Sequence, residues 1–217
     1  MEKDHLWMST WKYLASKSDF WISTLLSHVM IVVWASLIVI VLGVVLGILI
    51  TRIKPIRGVV LGVAGLFYTI PILALMGLFI PLMGIGLKPA LIALSMKGIL
   101  PVIRNTYAGI NQVSPKFKEA AIGMGANRAQ LLIRTELPLA FPVIFAGIRT
   151  AVVMNFSMAT YAVFIGAGAM GTIILVGMRT FNDGMLLAGT LIVAIATILL
   201  DRILGWIEKR IQKRFAL

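Results

Sequence analysis

Ser114-Pro-Lys-Phe-Lys-Glu-Ala-Ala-Ile-Gly-Met-Gly-Ala-Asn-Arg-Ala-Gln-Leu-Leu-Ile-Arg-Thr-Glu-Leu-Pro138 is a polar island in a strongly apolar chain. Its punctuation reads as two short helices rather than an open loop. Ser114 stands where a helix N-cap is wanted, and Pro115 occupies the first turn, where a missing N–H is harmless. Gly125 can end that helix in the left-handed region. Asn127 followed by Gln130 is a capping-box start for a second helix, which is expected to stop before Pro138. A helical hairpin projecting from an apolar chain offers a grip for another protein.

The rest of the sequence makes lipid the solvent. Of 217 residues, 60% are hydrophobic and only 13% are charged, and the mean hydropathy is +1.00. A soluble domain of this length has no use for so much apolar surface. The length suits one domain. There is no cysteine, which excludes disulfides and thiolate metal sites. The net charge of +12 does not read as a nucleic-acid surface, because the basic residues flank apolar segments instead of gathering on one face.

Five spans are expected: 22–50, 58–80 bent by Pro71, 87–110 interrupted by Pro101, 138–165, and 185–206. The first is over-long for a ~30 Å hydrocarbon core at ~1.5 Å per residue, so it tilts or protrudes. Gly166-Ala-Gly-Ala-Met-Gly171 breaks the run between the last two spans as a re-entrant or irregular loop. Residues 1–21 are not a secretory signal, since Lys3, Lys12 and Lys17 mix with Glu2, Asp4 and Asp19. Trp7, Trp11, Tyr13 and Trp21 suit an extracytoplasmic helix in the headgroup region, a solvated tail being the plainer alternative.

Orientation follows from the loops. Arg52, Lys54 and Arg57, then Lys116, Lys118, Arg128 and Arg134, then Arg202, Lys209, Arg210, Lys213 and Arg214 all fall on one side, twelve of the twenty basic residues. That side is expected to be cytoplasmic. The amino terminus is then outside, while the hairpin 114–138 and the basic tail 207–217 are inside. The membrane-spanning body is 22–206. Five spans cannot form two equal inverted halves, so the pattern points to a half-pore that needs a second subunit.

The island also resembles a family motif. Glu119-Ala120-Ala121, three residues, Gly125, nine residues, then Thr135, one residue and Leu137-Pro138 is similar to the coupling loop of ABC importer permeases, with Thr135 in place of the usual isoleucine. Leu100-Pro-Val-Ile-Arg-Asn-Thr-Tyr-Ala-Gly-Ile110, Glu136 to Thr150, Phe164 to Gly171, Tyr68 to Leu75 and Ile80 to Gly86 resemble the osmoprotectant branch of that family, which carries glycine betaine, carnitine, choline or proline betaine. The resemblance implies the all-α, type I importer permease fold in a multi-pass protein of the bacterial inner membrane. It implies a cytoplasmic ABC ATPase dimer that binds the ATP and magnesium and docks on Glu119, Ala120, Ala121, Gly125, Leu137 and Pro138. A second permease subunit and an extracytoplasmic solute-binding protein complete the implied assembly. Two departures stand out. The family's glycine run is usually pure glycine where this chain has Gly-Ala-Gly-Ala-Met-Gly, and Lys97 falls where branch members tend to be uncharged.

No catalytic, cofactor-binding or metal-ligating residues are expected in this chain. His5 and His28 are isolated from each other, and no glycine-rich turn ends in Gly-Lys-Ser or Gly-Lys-Thr. His28 reads as an interfacial or helix-packing residue. Three cations fall inside spans: Arg104 can snorkel, Arg149 is expected to hold the coupling loop, and Lys97 either pairs with an acid or carbonyls or lines the path. The fourth span is the most polar. Met154, Asn155, Met158 and Tyr161, with Pro71, are the candidates for the translocation path, packing between helices being the alternative. An amino-acid or methionine importer permease is the rival within the family. A secondary transporter is disfavoured because no Asp or Glu is expected well inside a span, and a membrane enzyme because no catalytic dyad is visible.

Overall fold

The computed structural model describes residues 2–215, with side chains described for 6–214. The side chain of His5 and the last two residues of the tail lie outside that set. All regular structure among the described residues is helical. Three helical stretches are long and apolar enough to cross a membrane, 18–52, 128–165 and 183–214, and a bent pair gives a fourth if it is counted as one span.

Helix α1 (Glu2–Ser16) leads into α2 (Ser18–Arg52), whose 35 residues span about 52 Å. Helix α3 (Arg57–Thr69) and α4 (Ile72–Met83) form the bent pair and meet at 102°. Pro71 does more than bend the 58–80 segment: the helix is broken there. Ile70 and Pro71 are both extended, with ψ 131° and 139°, because proline pushes its predecessor out of the helical region and cannot itself close the preceding turn.

Helix α5 (Leu87–Gln112) runs through the middle, between α2 and α8 (Leu137–Met158). It runs unbroken through Pro101, contrary to the sequence expectation. The neighbours hold this stretch tightly enough to keep it helical: a methyl on Gly147 of α8 would stand 2.9 Å from the Pro101 carbonyl oxygen and 2.6 Å from Asn105 Cβ. The Asn105 amide donates to the same carbonyl at 2.9 Å. Close approach through small residues also governs the α2 side, where a methyl on Gly43 would meet Val102 Cβ at 2.7 Å. Helix α5 is not among the apolar candidates for crossing. It carries Lys88, Lys97 and Arg104, and with its flanks covered by α2 and α8 it has less lipid-facing surface to make apolar.

After α8 a 3-10 stretch, Ala159–Ile165, leads to the glycine-rich turn, which is irregular as expected. Gly166, Gly168 and also Ala169 have positive φ there. The short α9 (Gly171–Arg179) and the long α10 (Asp183–Phe215) complete the chain. Helix α1 packs against α10, with Ser9 close over Gly184. Trp7 and Trp11 stay exposed on its outer stripe, and the Tyr13 hydroxyl is buried without a hydrogen-bond partner. That burial pushes the phenol's pKa above its ordinary value.

Candidate functional site: the coupling hairpin and the charged end of the bundle

The polar island forms α6 (Pro115–Gly123) and a one-turn α7 (Arg128–Leu131). Ser114 takes the N-cap position of α6 but makes no side-chain cap hydrogen bond. The far end of α6 is closed by backbone. Gly125 adopts φ +86°, its N–H donates to the Ile122 carbonyl at 2.9 Å, and the Ala126 N–H donates to the Ala121 carbonyl at 3.0 Å. This pair of bonds is the Schellman closure that a left-handed glycine permits. The capping box follows, with the Gln130 N–H donating to Asn127 Oδ1 and the Asn127 N–H donating to Gln130 Oε1, both at 2.9 Å.

The second helix does not stop before Pro138. It passes through a π turn, Leu132–Glu136, straight into α8. Proline is tolerated because it stands in the first turn of α8, where the change of hydrogen-bond register has already broken the regular ladder. The hairpin's second arm is thus the start of the long helix that carries the path candidates.

The six motif residues divide by exposure. Glu119, Ala120 and Gly125 face outward. Phe117, Ile122 and Met124 are exposed beside them, Met124 at 84%. Ala121 is buried at 6%, so it packs inward. Leu137 packs into the apolar cluster of Ile110, Val113, Ala140 and Ile144 at the foot of the hairpin, and Pro138 is half-buried. These last two anchor the hairpin to the bundle.

Charged pairs that the sequence did not reveal lie at the same end. Glu136, 2% exposed, accepts from the Arg52 guanidinium and lies 3.3 Å from the Lys118 ammonium. Arg149 does not hold the hairpin as expected. It reaches across to α10, with Nε 2.8 Å from Asp201 Oδ1 and Nη1 2.8 Å from Glu208 Oε2. Asp201 therefore does lie within an expected span, near its end, and is neutralised there. The available signal was scarcity: the chain has only eight acids, and each acid near a span needs a partner.

The path candidates are not brought together on one open surface. Asn155 is fully buried, with neither amide atom hydrogen-bonded, and it packs against Gly98 of α5. Met154 lines a cavity of about 470 Å³ with Arg149, Thr150, Asp201 and Glu208. Met158 packs on the main core. Tyr161 and Pro71 are exposed, Tyr161 stacking near Phe164. Lys97 is 5% exposed. Its ammonium donates to the Tyr68 carbonyl at 2.5 Å and lies 5.6 Å from the Tyr68 ring centroid. His28 is fully buried and ties three elements: Nε2 donates to the Phe156 carbonyl at 2.8 Å, and Nδ1 accepts from the Met170 N–H at 3.4 Å.

Residues 39–213 match the family described as the binding-protein-dependent transport system inner membrane component. The chain belongs to that family. It is 40% identical to the osmoprotectant import permease protein OsmW of Salmonella typhimurium over 94% of its own length and 96% of that protein's. It is 37% identical to the glycine betaine/carnitine/choline transport system permease protein OpuCB of Bacillus subtilis, over 83% and 85% of the two chains. Its fold is similar to that of a chain in the inward-facing MetNI methionine ABC transporter, with a TM-score of 0.78, 18% identity, and coverage of 90% and 99%. The chain is a transport permease of the cell membrane.

Proposed function

We propose that this chain is the transmembrane permease of an ATP-driven, binding-protein-dependent importer for quaternary-ammonium osmoprotectants of the glycine betaine, carnitine and choline class. The observation that carries the reading is the likeness, along almost the whole chain, to permeases named for those solutes. The exposed face of Glu119, Ala120 and Met124 supports a docking hairpin. The proposed topology has five spans, the amino terminus outside, and the hairpin and carboxy terminus in the cytoplasm. Two permeases, two ATPases and a solute-binding protein form the working assembly. ATP and magnesium belong to the ATPases. Their closure moves the hairpins and rocks the paired permeases between inward- and outward-open states.

Reconstitution tests this. Liposomes holding this chain alone are expected neither to hydrolyse ATP nor to accumulate solute. With ATPase and loaded binding protein added, radiolabelled glycine betaine is expected to enter, and choline or carnitine to compete. Accumulation driven by a gradient in the permease-only liposomes would sink the importer reading. Uptake competed by methionine and not by betaines would overturn the substrate class.

Lys97 gives a separate check. Held by the Tyr68 carbonyl and ring, it serves to join α5 to the end of α3. Lys97→Met is expected to leave the order of competing solutes unchanged while lowering the yield of assembled transporter. A changed competition order would place the ammonium on the solute path.

A further inference from the structure

The end of the bundle that carries the hairpin holds one arrangement that docking alone does not require. Arg52 is the last residue of α2. Lys118 lies in the middle of α6. Glu136 closes the π turn immediately before α8. Both cations converge on the Glu136 carboxylate, and the Lys118 ammonium also donates to the Ile110 carbonyl at 3.2 Å. Ile110 is within the last turn of α5, where a carbonyl has no partner in its own helix. Four helices, α2, α5, α6 and α8, therefore meet at a single ion cluster, and three of them are the packed centre of the molecule.

We propose that Glu136 is a positioning residue for transport, the joint through which displacement of the hairpin reaches α2, α5 and α8 together. This rests on the coupling reading of the hairpin. Chain connectivity already links α7 to α8, but nothing covalent on that side ties α6 to α2. The ion cluster supplies that tie. At 2% exposure, the carboxylate is shut off from bulk solvent, so a departing cation would leave a buried charge uncompensated, and the joint holds while its surroundings move. The π turn has a matching use: it turns Glu136 inward while Ile133 and Arg134 on the same turn stay exposed.

The test uses the whole transporter with ATPase and binding protein. Glu136→Gln and Lys118→Met keep the size of each side chain and remove one charge. Both are expected to retain co-purifying ATPase at wild-type stoichiometry while betaine uptake falls at least ~10-fold, and the double variant is expected to be no worse than either single one because the changes cut the same joint. Lys118→Arg restores a cation and is expected to return most of the uptake. Wild-type uptake in the neutral variants overturns the proposal. So does equal loss in Lys118→Arg and Lys118→Met, which would make Lys118 a matter of packing. Loss of ATPase from Lys118→Met would make it a docking contact and also overturn the joint. If Glu136→Gln fails to accumulate, the part-exposed Lys118 variants still decide. Failure of the coupling reading itself would show differently, as ATPase retained by a chain whose hairpin is distorted at Gly125.

Discussion

Gly125→Val is expected to strip the partner ATPase from this permease while leaving its membrane insertion intact. The residue sits at φ +86°, where a β-branched side chain is strained by at least about 1–2 kcal/mol. Relieving the strain means giving up the two backbone bonds that close α6, from Gly125 to Ile122 and from Ala126 to Ala121. A Cβ at this position meets nothing within 4 Å, so the effect is conformational and not a clash. That predicts a discriminating control: Gly125→Asn, which tolerates the left-handed region, is expected to retain most ATPase binding. Ala120→Trp should block docking directly, because Ala120 is on the open face. Ala121→Trp should act otherwise, by forcing the buried side of α6 off the bundle. Co-purification of the ATPase with each variant, alongside permease abundance in the membrane, reads all four. Wild-type association in Gly125→Val and Ala120→Trp would show an ordinary loop.

The hairpin was legible because local rules govern it. A proline at the first turn, a glycine at the left-handed position and an Asn–Gln capping box each act within five residues, so sequence order is enough to place them. The inward turn of Ala121 was not legible. It depends on how α6 lies against the foot of α5 and α8, which no local pattern encodes. The ion partners failed for the same reason. Arg52 and Glu136 are separated by 84 positions, and Arg149 and Asp201 by 52. Only the packing of long helices side by side makes them neighbours.

Prolines show how tertiary context decides between equal local signals. Pro71 breaks its helix by 102°, Pro101 leaves α5 continuous, and Pro138 sits inside a helix it was expected to end. Each removes one backbone donor and crowds the preceding turn. At Pro101 tight helices on both sides keep the backbone helical, and at Pro138 the π turn has already shifted the ladder. Pro71 itself is exposed, and there the chain turns. The polar residues of the fourth span were visible in sequence, and helical spacing put Met154, Met158 and Tyr161 on one face. How deeply each is buried depends on the packing of distant helices. Met158 packs on the core, whereas Tyr161 is exposed.

Gly171→Ala is expected to be the most damaging single methyl in the chain. A Cβ there would be driven into the Thr160 carbonyl oxygen, with the Thr160 carbonyl carbon at 2.9 Å. Both sides of the clash are backbone, so no rotamer change relieves it. Thr160 belongs to the 3-10 stretch that continues α8, and Met170, next to Gly171, donates its N–H to buried His28. Moving either strand of this contact therefore disturbs α2 and α8 together. The expected loss is roughly 3–4 kcal/mol, the upper end for over-packing, seen as reduced membrane abundance and an earlier thermal transition in detergent. Gly65→Ala is the matched control: it lies in α3 with nothing within 4 Å of a new methyl, and there alanine should be neutral or stabilising by up to ~1 kcal/mol. The neighbouring Ala169 supplies the opposite sign. It holds φ +70°, a conformation that glycine adopts freely, so Ala169→Gly should relieve strain and stabilise the fold by about 1 kcal/mol. Gly171→Ala with wild-type abundance and melting would mean that α9 can slide away from α8 at little cost, and that the glycine-rich turn does not fix the end of the path helix.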